Sequence, residues 1–173
     1  MSNLRLINET EITSSVSNLS VTDVFSADFD IYKITVAGWS NTTTQNVRLQ
    51  FINSSGSVVT ASNYDKACAE QLVWSSFGEI RATNTDHIGE ICLSSSTSAS
   101  GSATIYIFNP NSSSSYTFLL SQGTGELTGL GHINEKVIGV LKQTASMSGF
   151  KLFPVSNNVN GGTIRTYGLR VDS

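Results

Sequence analysis

Phe25-Ser26-Ala27-Asp28-Phe29-Asp30-Ile31-Tyr32-Lys33-Ile34-Thr35-Val36-Ala37-Gly38-Trp39 decides how the rest of the chain is read. From Ile31 onward, Tyr32, Ile34 and Val36 fall on one face and Lys33 and Thr35 on the other. A two-residue period of this kind is what a strand with one wet face requires, and β-branched residues suit a pleated surface. Asp28 and Asp30 are poor strand formers and mark the entry turn. Working outward, the device recurs. Val47, Leu49 and Phe51 alternate with Arg48 and Gln50, and Asn53-Ser54-Ser55-Gly56-Ser57 reads as a hairpin turn.

Further strands are expected at 79–83, 88–93, 103–108, 116–120, 137–141, 149–153 and 163–171, separated by Ser-, Asn- and Gly-rich loops such as 94–102 and 109–115. Residues 61–74 are the one stretch where a helix competes. Ala67 to Leu72 have helical propensity and Asn63 or Asp65 is a possible cap, but Val73-Trp74 reads as a strand end, and strand is the favoured reading. Residues 121–135, with Gly123, Gly125, Gly129 and Gly131, read as a flexible surface loop; the lysine and strand–loop–helix setting of a phosphate loop are missing. Residues 1–12 form an extended arm or first edge strand. The expectation is one all-β domain over 1–173, a single antiparallel β-sandwich with a short extended N-terminal arm.

Composition narrows the function classes. Of 173 residues, 39% are hydrophobic, enough for a core, and only 13% are charged, about half the usual ~25%. The net charge is −3, and the ten basic residues are scattered, which argues against a nucleic-acid partner. No run of 18 apolar residues is present, so no membrane span is expected. Met1 to Ile7 lacks the charged start and apolar core of a secretory leader. Cys68 and Cys92 are expected as reduced, buried thiols, with a disulfide between them as the alternative.

No catalytic residue, cofactor or metal ligand set emerges. Asp28 and Asp30 lack the further oxygens of a calcium cage. Asp86-His87 lies among serines that occur throughout the chain, with no Gly-x-Ser-x-Gly elbow. His87, His132, Cys68 and Cys92 lack zinc-ligand spacing. Glu9, Glu11, Glu70, Glu79, Glu90, Glu126 and Glu135 offer carboxylate pairs for glycoside hydrolysis only if two of them converge on a cleft. Trp39 and Trp74, with Tyr64, are candidates for stacking on a sugar, though rim packing is the favoured reading for both tryptophans.

Two expected strands are apolar on both faces: Ile105-Tyr106-Ile107-Phe108 and Val137-Ile138-Gly139-Val140-Leu141. Either a loop covers the second face, or that face meets another subunit, with Ile107 and Ile138 as candidate contacts. Leu4, Leu6 and Ile7 of the arm are candidates for strand addition to a neighbour's sheet edge, or for pairing within their own domain.

Four stretches carry a family resemblance: Val24 to Ile34; Ile52 to Asp65; Ile107-Phe108-Asn109-Pro110-Asn111-Ser112-Ser113-Ser114-Ser115-Tyr116-Thr117-Phe118; and Gly162-Thr163-Ile164-Arg165-Thr166-Tyr167-Gly168-Leu169-Arg170-Val171. Together they resemble the small virion structural proteins of tailed phages of marine bacteria, cyanophages among them. The resemblance spans nearly the whole chain and carries no catalytic residue. It implies a jelly-roll-like sandwich in the virion, assembling as a homotrimer and binding the major capsid protein or other virion proteins. The role it favours is a decoration or cement protein on the capsid surface. The alternative is a tail or capsid-fibre adhesin that binds a host surface glycan near Trp39, Trp74 or Tyr64.

Overall fold

The computed structural model describes residues 3–94 and 99–169, and among them every regular element is a strand. The chain is all-β, with antiparallel sheets that make a β-sandwich. The larger sheet holds β1 (Leu4–Ile12), β3 (Ile31–Asn41), β5 (Tyr64–Leu72), β6 (Gly78–Thr85), β8 (Gly101–Phe108), β9 (Thr117–Leu127), β10 (Gly131–Leu141) and β12 (Val159–Leu169). Its order is β1-β12-β3-β8-β9-β10-β5-β6. The smaller sheet, in the order β2-β11-β4-β7, holds β2 (Leu19–Val21), β4 (Gln45–Asn53), β7 (Leu93–Ser94) and β11 (Met147–Pro154).

The quoted stretch becomes β3, third from one edge of the larger sheet. Tyr32, Ile34 and Val36 are buried, while Lys33 and Thr35 lie on the outer face. Its entry turn is pinned by the Tyr32 hydroxyl, which accepts the Ser26 N–H (2.7 Å) and donates to the Ser26 carbonyl (2.9 Å). Between the exposed Asp28 and Asp30, Phe29 turns inward against Tyr32. Its ring occupies the space where a side chain on Gly168 would stand. Leu49, Phe51, Phe150 and Leu152 of the smaller sheet close the core from the other side.

Several expectations change. Residues 121–135 are not a loop but most of a long hairpin, in which β9 and β10 pair from Thr117 with Leu141 to Leu127 with Gly131. The cause is tertiary. Gly123 and Gly125 face inward, beneath the backbone of Ile91 and Leu93, where a Cβ would collide with their carbonyl oxygens. Glycine is retained in these strands because another backbone crosses them in contact. Gly125→Ala should therefore cost about 2–3 kcal/mol, read as a drop in melting temperature of about 5–10 °C.

Within 61–74 the favoured strand reading holds for Tyr64–Leu72, which is β5, while Val73-Trp74, read as a strand end, lie in the turn that follows. Tyr64, Lys66, Cys68 and Glu70 alternate inward, and sheet pairing overrides helical propensity. Of the strand expected at 88–93, only an isolated bridge from Leu49 to Ile88 and the short β7 form. The strand expected at 163–171 starts earlier, at Val159; its positions 170 and 171 lie outside the described residues, as do 95–98 of the 94–102 loop. Cys68 and Cys92 are separate buried thiols.

Candidate functional site: the outer face of the large sheet

Strand register carries the apolar residues of the large sheet's outer face into two adjacent rows. One runs Leu4, Leu169, Ile31, Phe108, Phe118, Val140, Asp65. The next runs Leu6, Tyr167, Lys33, Tyr106, Leu120, Ile138, Ala67, Arg81. The row beyond is polar: Glu9, Arg165, Thr35, Thr104, Gln122, Lys136. The apolar band is therefore one-sided and crosses the sheet from edge strand β1 to β10.

Ile138 is 55% exposed, Phe118 47%, Leu120 43% and Tyr106 38%, so the second face of β8 to β10 stands open. With Leu6 and Tyr116, also exposed, these side chains present roughly 500 Å² of surface to water. That is toward the upper end of the largest patches soluble monomers carry, and patches of this size mark interaction sites. Phe118, Leu120, Ile138 and Val140 also wall an open groove of about 670 Å³ with Ala67, Ala82 and Arg81 on its far side.

The candidate contacts divide on this geometry. Leu4 and Leu6 lie on the outer face, and so does Ile138. Ile107 does not; it is fully buried with Ile105, while Tyr106 and Phe108 take the outer positions. Sequence reasoning found the two-faced strand but assigned its phase wrongly, because apolar residues on both faces erase the alternation that sets phase. It also missed Phe118 and Leu120, whose signal was the same double-sided apolarity in β9.

The N-terminal segment is an edge strand rather than a free arm. β1 pairs with β12 of its own domain, and a bulge between Leu6 and Asn8 lets Ile7 pack against the core. The Arg165 guanidinium donates to Glu9 at 2.6 Å across that pair.

The three candidate glycan-stacking aromatics do not form a platform. Trp39 is fully buried, its indole N–H donating to Asn41 Oδ1 at 2.9 Å. Tyr64 is fully buried too; its hydroxyl donates to the Val59 carbonyl and accepts the Phe51 N–H, each at 3.0 Å. Both indole and phenol found internal partners, which removes them from any sugar surface. Trp74 is half-buried in the β5–β6 turn, near the exposed Val73, Phe77 and, on the neighbouring β9–β10 turn, Leu130.

A second constellation lies inside. Glu135 of β10 keeps the inward phase of Ile133 and Val137 and is fully buried. Its strand partner is Glu70. Glu90, from the segment that crosses the sheet, adds a third carboxylate and is paired with the buried Lys66 at 2.5 Å. The Asn46 side chain is the hydrogen-bonding neighbour of the Glu135 carboxyl and offsets part of the cost of burying it, while Asn46 Oδ1 is itself left without a partner. Burial, reinforced by Glu90 and Glu70, pushes the Glu135 carboxyl up to about 8, so it is protonated at neutral pH. Burial, and then the charge of Glu90, raise the Glu70 carboxyl as well.

Of the seven glutamates weighed as hydrolytic pairs, the fold thus brings together Glu70, Glu90 and Glu135. A fully buried Glu135 has no face open to a sugar. Burial, with Glu135 nearby, raises both cysteine thiols, Cys68 to about 12. A thiol-specific reagent at pH 8 should accordingly label neither cysteine in the native protein and both after denaturation; rapid native labelling would contradict their placement.

No protein-family model matches this chain, and no curated protein does. Among solved structures, a fructofuranosidase from Schwanniomyces occidentalis complexed with fructosylnystose aligns with 95% of this chain and 34% of that one. The identity is 10% and the TM-score 0.20. The chain spans about a third of that protein's length, and a superposition so loose carries no argument.

Proposed function

We propose that this chain is a non-enzymatic structural protein of a phage particle, a decoration or cement protein of the capsid surface. The observation that carries the reading is the one-sided apolar band on the outer face of the large sheet. A protein that works by being leaned on needs a broad, flat, preformed contact surface. Phe118, Leu120, Ile138 and Tyr106 supply one on strands rather than on loops. The virion assignment itself draws on the sequence resemblance.

The strand order supports the same reading. With the hairpins β5–β6 and β9–β10 set aside, the remaining strands order as β1-β12-β3-β8 and β2-β11-β4-β7. We read this as a jelly roll, whose chain alternates between two four-stranded sheets, an architecture used in viral capsids and lectins. The two inserted hairpins widen one sheet to eight strands, and four of the most exposed apolar side chains of the face, Phe118, Leu120, Ile138 and Tyr106, sit on or beside them.

The adhesin reading keeps one observation in its favour, the half-buried Trp74 beside exposed Val73, Phe77 and Leu130. Counting copies per purified particle by quantitative mass spectrometry, with cryo-EM to locate them, separates the two. Hundreds of copies on the head fit a decoration protein, whereas a few dozen at the tail fit an adhesin. Absence from the particle would overturn both.

A further inference from the structure

The geometry points to a second copy of this chain as the occupant of the apolar band, packed face to face across a two-fold axis that runs along β9. This goes beyond the virion reading, since it needs only the sheet face. When the same flat face of two identical chains meets itself, the contact is isologous and the symmetry two-fold. A three-fold assembly, which the resemblance implies, would instead have to set this face against some different surface of the next copy.

The band is self-complementary about β9 and about no other strand. On the axis, Phe118 and Leu120 would each meet their own counterpart. β8 and β10 flank β9, so Tyr106 of one copy would lie over Ile138 of the other, both in the same row. One strand further out on each side, Lys33 of β3 would lie over β5, where Ala67 is flanked on the outer face by Asp65. Bulky apolar groups thus meet at the centre and the rim is polar, with Lys33 diagonal to Asp65, which already pairs with Lys142 at 2.9 Å, the distribution found in stable interfaces. Strands of the two copies would run nearly parallel, as in aligned sheet packing. Area agrees: Tyr106, Tyr116, Phe118, Leu120 and Ile138 offer roughly 450 Å², and the half-buried Phe108, Val140 and Tyr167 extend this toward the ~800 Å² each partner gives a standard interface, while Leu6 on β1 lies beyond the partner's edge strand β6.

Sedimentation equilibrium on the intact chain, combined with cysteine variants, tests this. The wild type should sediment with the mass of two chains. Leu120→Cys, on the axis, should oxidise to a covalent dimer in good yield, since Cys68 and Cys92 are buried and do not compete. Lys136→Cys, one strand off the axis on the same exposed face, should stay unlinked. Phe118→Asp should raise the dissociation constant at least 100-fold with the circular-dichroism spectrum unchanged. A mass of one chain or of three, or linking at 136 in preference to 120, would overturn the proposal. Failure here leaves the copy number on particles unaffected, so the two readings fail separately.

Discussion

Ile107→Asp will yield no folded protein, whereas Ile138→Asp will fold with a melting temperature within a few degrees of wild type. The two residues share a chemical type and lie on strands of one sheet, yet they point in opposite directions. Ile107 has no exposed surface and packs in the core with Ile105 and Tyr32. Aspartate there loses the packing of a buried isoleucine, a cost of about 2–5 kcal/mol. It also places a carboxylate among apolar neighbours, at several kcal/mol more. Together these rival the ~5–15 kcal/mol by which domains are stable. Ile138 is 55% exposed, and a charge there stays hydrated. Its effect should appear only in association, as a large rise in the dissociation constant. Thermal denaturation and sedimentation of both variants check this. A folded Ile107→Asp would mean that β8 has the opposite phase.

The second large effect is a dependence of stability on pH that Glu135 should dominate. Its carboxyl is held near 8 in the folded chain against about 4.5 in an ordinary setting. Between those values the folded chain keeps the proton and the unfolded chain has lost it, so unfolding releases a proton. Stability must then fall as pH rises from about 4.5 through 8, and stay low above that, where a buried charge faces Glu70 and Glu90.

Lys66 offsets part of this, but it already serves Glu90. Glu135→Gln removes the titration while keeping the shape. It should be close to neutral at pH 5 and stabilising by roughly 3–5 kcal/mol at pH 9, about 10 °C in melting temperature. Equal melting curves for the two proteins at pH 9 would show that folding does not raise the Glu135 carboxyl.

Much of the fold was legible locally. Strand β3 could be read from residues 31–36 because one face is wet and the other buried, so the alternation survives in the sequence. The same rule explains the errors. In Ile105 to Phe108 both faces are apolar, and phase is then set by neighbouring strands. Residues 121–135 look like a loop because the glycines that let residues 91–93 cross the sheet are indistinguishable, one residue at a time, from those that make turns. Trp39 gave no sign that Asn41 would satisfy its indole internally.

Of the sites, the outer face was half legible. Two-sided apolarity in β8 and β10 announced it, but its extent depends on register across seven strand pairs, which no single segment encodes. The buried carboxylates were missed, although Glu135 sits in phase with Ile133, Val137 and Leu141. That phase was the available signal. Reading the stretch as a loop concealed it.

The central claim is that the outer face of the large sheet is covered when the protein is at work. Hydroxyl-radical footprinting, read residue by residue, tests it whatever covers the face. In dilute, dissociated protein, Tyr106, Phe118 and Leu120 should be oxidised readily. In the assembled state they should be strongly protected, while Phe77 on the distant β5–β6 turn remains labelled. Equal oxidation of Tyr106 and Phe118 in both states would contradict the account.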